Sequence, residues 1–258
     1  MPIYKNEYPI LEYDTEKIGV IKPDRAGRAK IPERCLMTFF AEVLDDFVEK
    51  YNAEEINYFG SEFPRRRPIY KAEYKGTEIA LINAAVGSAS AAAVTDFLVG
   101  HGMTKLIVCG GCGVLTDIPA GDVILPVSAL RDEGASYHYL PPSREITLDK
   151  SVISMIKETL GEFNTPYIEV KTWTTDAFYR ETPDMITYRK EEGCQVVEME
   201  CAAIAAVAQF RDIKFGQLLY SGDILTDYKN YDERGWTKNI TAREKLFYMS
   251  LESLIKIK

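Results

Sequence analysis

The sequence predicts an α/β domain with a mostly parallel or mixed central sheet. Three observations carry that expectation. Strand-like and helix-like segments alternate through most of the chain. The strand candidates are short apolar runs, and the helix candidates either show helical spacing or are apolar on nearly every side. No internal repeat, low-complexity tract or linker rich in Pro, Gly or Ser interrupts the series of 258 residues.

In chain order, "EIALINAAV" (78–86) is a buried strand candidate. Gly87 breaks it, Ser88 is positioned to cap, and "ASAAAVTDFLVGHG" predicts a helix ended by glycine. "TKLIVCGGCG" is a short apolar strand running into glycines, and "GDVILPVSAL" is the next strand. "SVISMIKETL" (151–160) has helical spacing, and "YIEVKTWTT" (167–175) reads as a strand. "ECAAIAAVAQF" is apolar nearly all round, which marks a buried helix. "KFGQLLYSGD" (214–223) is a further strand, and "TAREKLFYMSLESLIKI" an amphipathic terminal helix. In sheets of this kind ligands collect where strands end and loops begin.

Composition narrows the function. Hydrophobic residues make up 46% of the chain, ample for a core, and the net charge of −8 argues against a general nucleic-acid surface. No apolar run reaches the length of a membrane span, and the first residues lack the basic-then-apolar pattern of a secretory signal. Five cysteines, an odd number, and two histidines predict a reducing, cytoplasmic setting and no zinc site. A basic cluster, "KPDRAGRAKIPERC", runs against the overall sign and is either an anion-attracting segment or a solvated loop.

Four stretches can carry chemistry. In "VVEMECAAI" the carboxylates of Glu198 and Glu200 flank Met199 where a strand-like run turns helical. A carboxylate there can accept hydrogen bonds from two vicinal hydroxyls, as on a ribose, with the thioether against the sugar. The competing reading is that one Glu caps the helix and the other is exposed. "CGGCG" (109–113) is a tight turn, a Gly-rich strand end that approaches a ligand or anion, or a thiol pair formed by Cys109 and Cys112. "YSGD" ends a strand on Asp223, a proton-transfer candidate or a turn aspartate. "DILTDYKNYDERGW" (223–236) is a lid or a connector.

The blocks "GGCGVLTDIPAGDVILPVSALRDEGASYHYLPP", "TTDAFY", "VVEMECAAIAAVA" and "LLYSGD" occur in an order that resembles the nucleoside phosphorylase family, which includes uridine phosphorylases and hexameric purine nucleoside phosphorylases. The resemblance implies one domain over residues 1–258 with a mixed, partly barrel-like sheet flanked by helices. It implies that Glu200 binds ribose hydroxyls, Met199 packs on the sugar, Glu198 lines the same pocket and Phe178 stacks near the base. Asp223 matches the acid that protonates purine N7 in purine-specific members. Arg34 and Arg65 match phosphate arginines, Arg65 acting from a neighbouring subunit, and Gly111 lies in the Gly-rich turn at the substrate. Arg234 stands near a family arginine that moves toward the acid, at a different spacing.

The implied reaction is phosphorolysis of a purine ribonucleoside to free base and ribose 1-phosphate. It needs nucleoside and phosphate, no metal or organic cofactor, no nucleic acid and no membrane, and a homo-oligomer, either a dimer or a trimer of dimers. Val108 and Gly111 replace an arginine and a Ser or Thr that usually contact phosphate. A nucleosidase that uses water, a non-catalytic nucleoside-binding protein and, more remotely, a thiol redox protein are therefore the alternatives.

Overall fold

The computed structural model describes residues 3–24, 28–60, 66–226 and 231–258. In chain order the elements are β1 (Arg34–Thr38), α1 (Ala41–Lys50), β2 (Glu54–Phe59), β3 (Arg67–Tyr74), β4 (Thr77–Asn83), α2 (Ser88–Gly100), β5 (Lys105–Val114), β6 (Val123–Asp132) and β7 (Glu145–Thr147). They continue as α3 (Lys150–Glu162), β8 (Tyr167–Thr175), α4 (Pro183–Glu191), β9 (Cys194–Glu198), α5 (Cys201–Arg211), β10 (Lys214–Ile224) and α6 (Ile240–Lys256). The strands form one ten-stranded sheet in the order β10-β6-β8-β9-β5-β1-β4-β3-β2, with β7 against β6 and β10 also paired to β5. That last pairing closes β5, β10, β6, β8 and β9 into a five-stranded barrel, and β1, β4, β3 and β2 extend from it as an open wing. The sheet is mixed: β1–β4, β1–β5, β5–β10, β6–β8 and β8–β9 are parallel, whereas β5–β9 and β6–β10 are antiparallel.

Strand alternation explains how the barrel is filled. One buried apolar cluster takes a residue from each barrel strand: Cys112 and Val114, Ile124, Val170, Val196 and Leu219. The larger core lies between the sheet and the helices, where α6 and α1 pack on the wing and α5 is buried along nearly its whole length. Asp149 caps α3 by accepting from the backbone N–H groups of Ser151 and Val152, and Thr182 with Pro183 starts α4.

The strands and helices expected from sequence all form within a few residues of the boundaries read there. The antiparallel partners β2 and β3 of the wing, β1, α1, β7 and α4 went unread. One local expectation is corrected. Ser88 does not cap α2; the cap position is Gly87, and the Ser88 hydroxyl instead donates to the Met199 carbonyl at 2.6 Å. Gly87 has φ of 94°, a conformation that favours glycine, so the chain can turn sharply from β4 into α2.

The thiol-pair alternative does not survive the strand geometry. Cys109 and Cys112 lie three apart on β5, so their side chains face opposite sides of the sheet. Cys109 Sγ donates to Thr38 Oγ1 at 3.3 Å and Cys112 Sγ to the Tyr220 carbonyl at 3.5 Å. Burial pushes the Cys109 thiol up to about 12 and the Cys112 thiol well above its ordinary value, the reverse of an activated cysteine. All five cysteines are free and buried.

Candidate active site

The carboxyl ends of β1, β4, β5 and β10 coincide, because the parallel registers align Thr38 with Asn83 and Cys109, and Ser221 with Cys112. β9 runs against β5 with Val197 opposite Gly113, which brings Glu198, Met199 and Glu200 back alongside the Gly-rich end of β5. Residues distant in sequence thus converge on Gly110–Val114.

Two buried carboxylates meet here, each at the start of a helix. Glu198 Oε2 accepts from the backbone N–H groups of Glu200 and Cys201, both at 2.7 Å, at the N-terminus of α5. Its Oε1 accepts from the hydroxyls of Thr174 at 2.6 Å and Thr172 at 3.2 Å. Thr174 Oγ1 in turn accepts from the Ala202 N–H. Four donors reach this carboxylate, so it braces the turn that carries its neighbours. The capping reading holds for Glu198, but Glu200 is not exposed.

Glu200 Oε1 accepts from the Gly87 N–H at 2.6 Å, at the N-terminus of α2, where the helix dipole favours a negative charge. The Met199 backbone N–H also bears on this carboxyl, and no side chain among the described residues donates to it. Burial pushes both carboxyls up. For Glu198 four hydrogen bonds oppose that push, whereas burial and the neighbouring Glu198 charge raise Glu200 to about 8. Glu200 is therefore the member of the pair with capacity left for a ligand. Met199, partly buried, lies between them.

Asp223 reaches the same place from the other side of β5. A Cβ built on Gly113 would stand 3.4 Å from Asp223 Oδ1, 3.0 Å from Val197 Cγ1 and 2.5 Å from Leu225 Cδ1. Only glycine lets those groups close over the strand. Asp223 Oδ2 accepts from the Tyr231 hydroxyl at 3.0 Å. Arg234 does not pair with this acid: its Nε donates to the Gly222 carbonyl at 2.7 Å and one terminal nitrogen to the Ile118 carbonyl at 2.8 Å. Phe178 stands in the 3-10 turn Phe178–Arg180 just past β8, 51% exposed, with its ring 4.1 Å from that of Tyr179. The preceding Asp176 is tied to the "RDEGAS" loop by accepting from the Gly134 N–H at 2.9 Å, so two of the sequence blocks brace one another.

The expected anion contacts fare differently. Arg34 opens β1, in register with Lys105 at the opposite end of β5 from the glycines. Four residue steps along the strand separate it from Thr38, about 13 Å at ~3.3 Å per residue. Its guanidinium donates to the Ile257 carbonyl at 2.9 Å and pairs with Glu33, so Arg34 serves the far end of the sheet in this chain. Arg65 lies outside the described residues, as do positions 227–230 of the lid candidate. Val108 is fully buried between Met37 and Gln217, in register within the sheet. Gly111 has a packing reason: a Cβ there would stand 2.6 Å from the Trp236 ring. The indole occupies the space that a Ser or Thr side chain would need, so Gly111 does not offer its side-chain face to a substrate.

Sequence reasoning missed Gly87, whose N–H holds Glu200, and Tyr231, which holds Asp223. It also missed Glu181, a partly buried carboxyl beside the Phe178 turn. The only signal for these three was proximity to a quoted motif. Two cavities, of about 290 Å³ beside α5 and about 620 Å³ between α2 and the Gly134–Tyr139 loop, carry neither Glu200 nor Asp223. The convergence of acids on strand ends, not cavity size, marks the site.

With that geometry in place, comparison with known proteins is informative. A family model described as Phosphorylase superfamily matches residues 33–255. A guanosine phosphorylase from Halorubrum lacusprofundi is 28% identical over 158 residues, 60% of this chain and 64% of that protein. The aligned part therefore spans a little under two thirds of that relative. Among solved structures, an AMP nucleosidase from Bacteroides thetaiotaomicron superposes with a TM-score of 0.70 at 25% identity, covering 87% of this chain and 88% of that one. A uridine phosphorylase from Vibrio fischeri superposes with a TM-score of 0.75 at 21% identity, covering 92% and 99% respectively, a likeness of fold.

Proposed function

The chain belongs to the Phosphorylase superfamily, and from that premise we propose that it cleaves the glycosidic bond of a purine ribonucleoside by phosphorolysis, releasing free base and ribose 1-phosphate. One observation carries the reading: Asp223 and the Val197–Glu200 turn flank the same end of β5 and meet over Gly113. In this reading the sugar lies at Met199 and Glu200, beside the groups that close over Gly113, and the N7 edge of the base faces Asp223.

Each group then has a physical task. The second oxygen of Glu200 accepts from the ribose diol, and these bonds orient the sugar. A proton delivered at Asp223 neutralises the departing base. Positive charge develops on the ribose as the bond breaks, and an anionic phosphate stabilises it before attacking the anomeric carbon. Phosphate is the only co-substrate invoked, and no cofactor is. Five buried free thiols suit a cytoplasmic protein. A homo-oligomer is part of the proposal, supported by the exposed apolar side chains of Ile18, Val20 and Ile21 on the N-terminal arm.

A second reading, hydrolysis of the same bond by water, has specific support. Val108 and Gly111 are locked into packing, and Arg34 serves the other end of the sheet. The deciding experiment is a panel of purine and pyrimidine nucleosides with and without phosphate, with base and sugar products both identified. Phosphate-dependent release of ribose 1-phosphate supports the first reading, free ribose the second, and binding without any base release rejects both.

A further inference from the structure

Cleavage needs an acceptor at the sugar as well as a proton at the base. β10 lines one edge of β5 from Lys105 onward. The other edge is shared: the β1 pairing ends at Cys109 and the β9 pairing begins at Gly113. Across that edge the Phe39 N–H donates to the Cys109 carbonyl at 3.0 Å. Gly111 stands two residues further on, so by strand alternation its backbone groups point into the gap between β1 and β9. The β5–β9 register, continued past Val197, brings the chain at Met199 back toward Gly111. An acceptor for a sugar held at Met199 therefore comes to this gap.

Aromatic rings close both faces of the strand there. Successive side chains of a strand point to opposite faces. On one face a Cβ at Gly110 would stand 2.8 Å from the Phe39 ring, and on the other a Cβ at Gly111 would stand 2.6 Å from the Trp236 ring. The same indole covers Gly222 of β10, where a Cβ would be 3.2 Å away. A phosphate is larger than the methyl group that already fails to fit, and the electron-rich face of an aromatic ring disfavours an anion. Trp236 is held in this place. Left-handed backbone at Arg234 (φ 49°) and Gly235 (φ 60°) turns the chain back onto the strand. The Tyr220 hydroxyl donates to the Trp236 carbonyl at 2.8 Å. The rings pack in series, Trp236 with Tyr220 at 6.3 Å and Tyr220 with Phe40 at 5.7 Å, and the Arg243 guanidinium lies 4.9 Å from the Phe40 centre while paired with Glu42.

We propose that Trp236 is the acceptor-selecting residue of this site: with its indole on Gly111, water fits beside the sugar and phosphate does not, and phosphate enters only when the ring is displaced. The inference rests on the glycosidic-cleavage reading above and concerns the choice between its two acceptors. With either acceptor the electron pair of the C1′–N9 bond stays on the base, the acceptor's oxygen bonds to C1′, and the acceptor's proton ends on the base. A ring that must leave before an anion can enter lowers the apparent affinity for that anion by the fraction of molecules in which the ring is away. Removing the ring removes that reduction.

The test titrates inorganic phosphate into wild type, Trp236→Ala and Trp236→Phe by calorimetry. It also measures the ratio of ribose 1-phosphate to free ribose formed from inosine at one fixed phosphate concentration. Trp236→Ala is expected to bind phosphate about tenfold tighter or more, and to raise the product ratio by a similar factor. Trp236→Phe keeps an apolar ring of smaller size, so it should fall between the other two, and it carries the test alone if the alanine variant does not fold. Phosphate that binds the folded variants no tighter than wild type, or a product ratio that does not rise, overturns the inference while leaving glycosidic cleavage intact. A wild-type protein that releases base from no nucleoside, with or without phosphate, overturns both.

Discussion

Replacing Glu198 by glutamine tests whether this residue serves the protein or the ligand. The carboxylate accepts two backbone N–H bonds at 2.7 Å and two hydroxyl bonds at 2.6 and 3.2 Å. The N–H donors of Glu200 and Cys201 cannot reorient, so the glutamine carbonyl must take their side. Its amide then faces Thr172 and Thr174, whose hydroxyls must rotate to accept. A bond to a charged group contributes roughly 1.5–3 kcal/mol, against roughly 0.5–1.5 for a neutral one. Two N–H bonds stepping down, with the hydroxyls rearranged, cost about 2–3 kcal/mol. At pH 7 Glu200, held at about 8, is mostly protonated, so little repulsion is relieved and at least about 2 kcal/mol is lost. For a chain of this size that is a fall in Tm of about 4–8 °C. Thermal unfolding at pH 7 reads this, and KM for the nucleoside, measured well below the transition, is expected to change less than about threefold. A Tm within about 1 °C of wild type, together with a KM raised tenfold or more, would refute the bracing role and return Glu198 to the substrate.

Two further outcomes follow from the same geometry. Glu200, held at about 8 in the folded chain against an ordinary 4.5, binds its proton more tightly when folded. Its stabilising contribution is therefore fully present below pH 4.5 and is lost as pH rises through about 8. The ligand-free protein should lose Tm steadily between those limits. Glu200→Gln should flatten that slope and weaken nucleoside binding, and an unchanged slope would count against the assignment. Arg34→Ala should leave the phosphate dependence of base release unaltered while lowering Tm by a few degrees, because it removes the tie between β1 and the Ile257 carbonyl. A large rise in KM for phosphate would show that the arginine reaches an anion after all.

The alternating pattern of apolar segments made the α/β class and most of the elements legible, because 2- and 3.6-residue periods are local properties. Helix α5 and strand β8 emerge from nothing more than their own residues. The wing hairpins were harder, since "FPRRRPIYKAEYKG" mixes charge and apolar residues on a half-exposed strand. The quoted motifs pointed to Met199, Glu200, Phe178 and Asp223, and the resemblance they carry supplied the barrel and the expected roles. They could not say which Glu is free. That depends on Thr172, Thr174 and Gly87, which lie 24 or more residues away in sequence and meet the pair only through strand register.

By itself, then, the sequence determined the fold class, the family and the positions around which a nucleoside site would be built, since these follow from local periodicity and contiguous motifs. Tertiary structure alone decided which groups in that site have lone pairs to spare. It spent Glu198 on a helix start, filled the space at Gly111 with Trp236 and sent Arg34 to the far end of the sheet. The reason is that hydrogen-bonding capacity and charge are settled by which neighbours a fold brings within 3 to 4 Å, and no short window of sequence contains them.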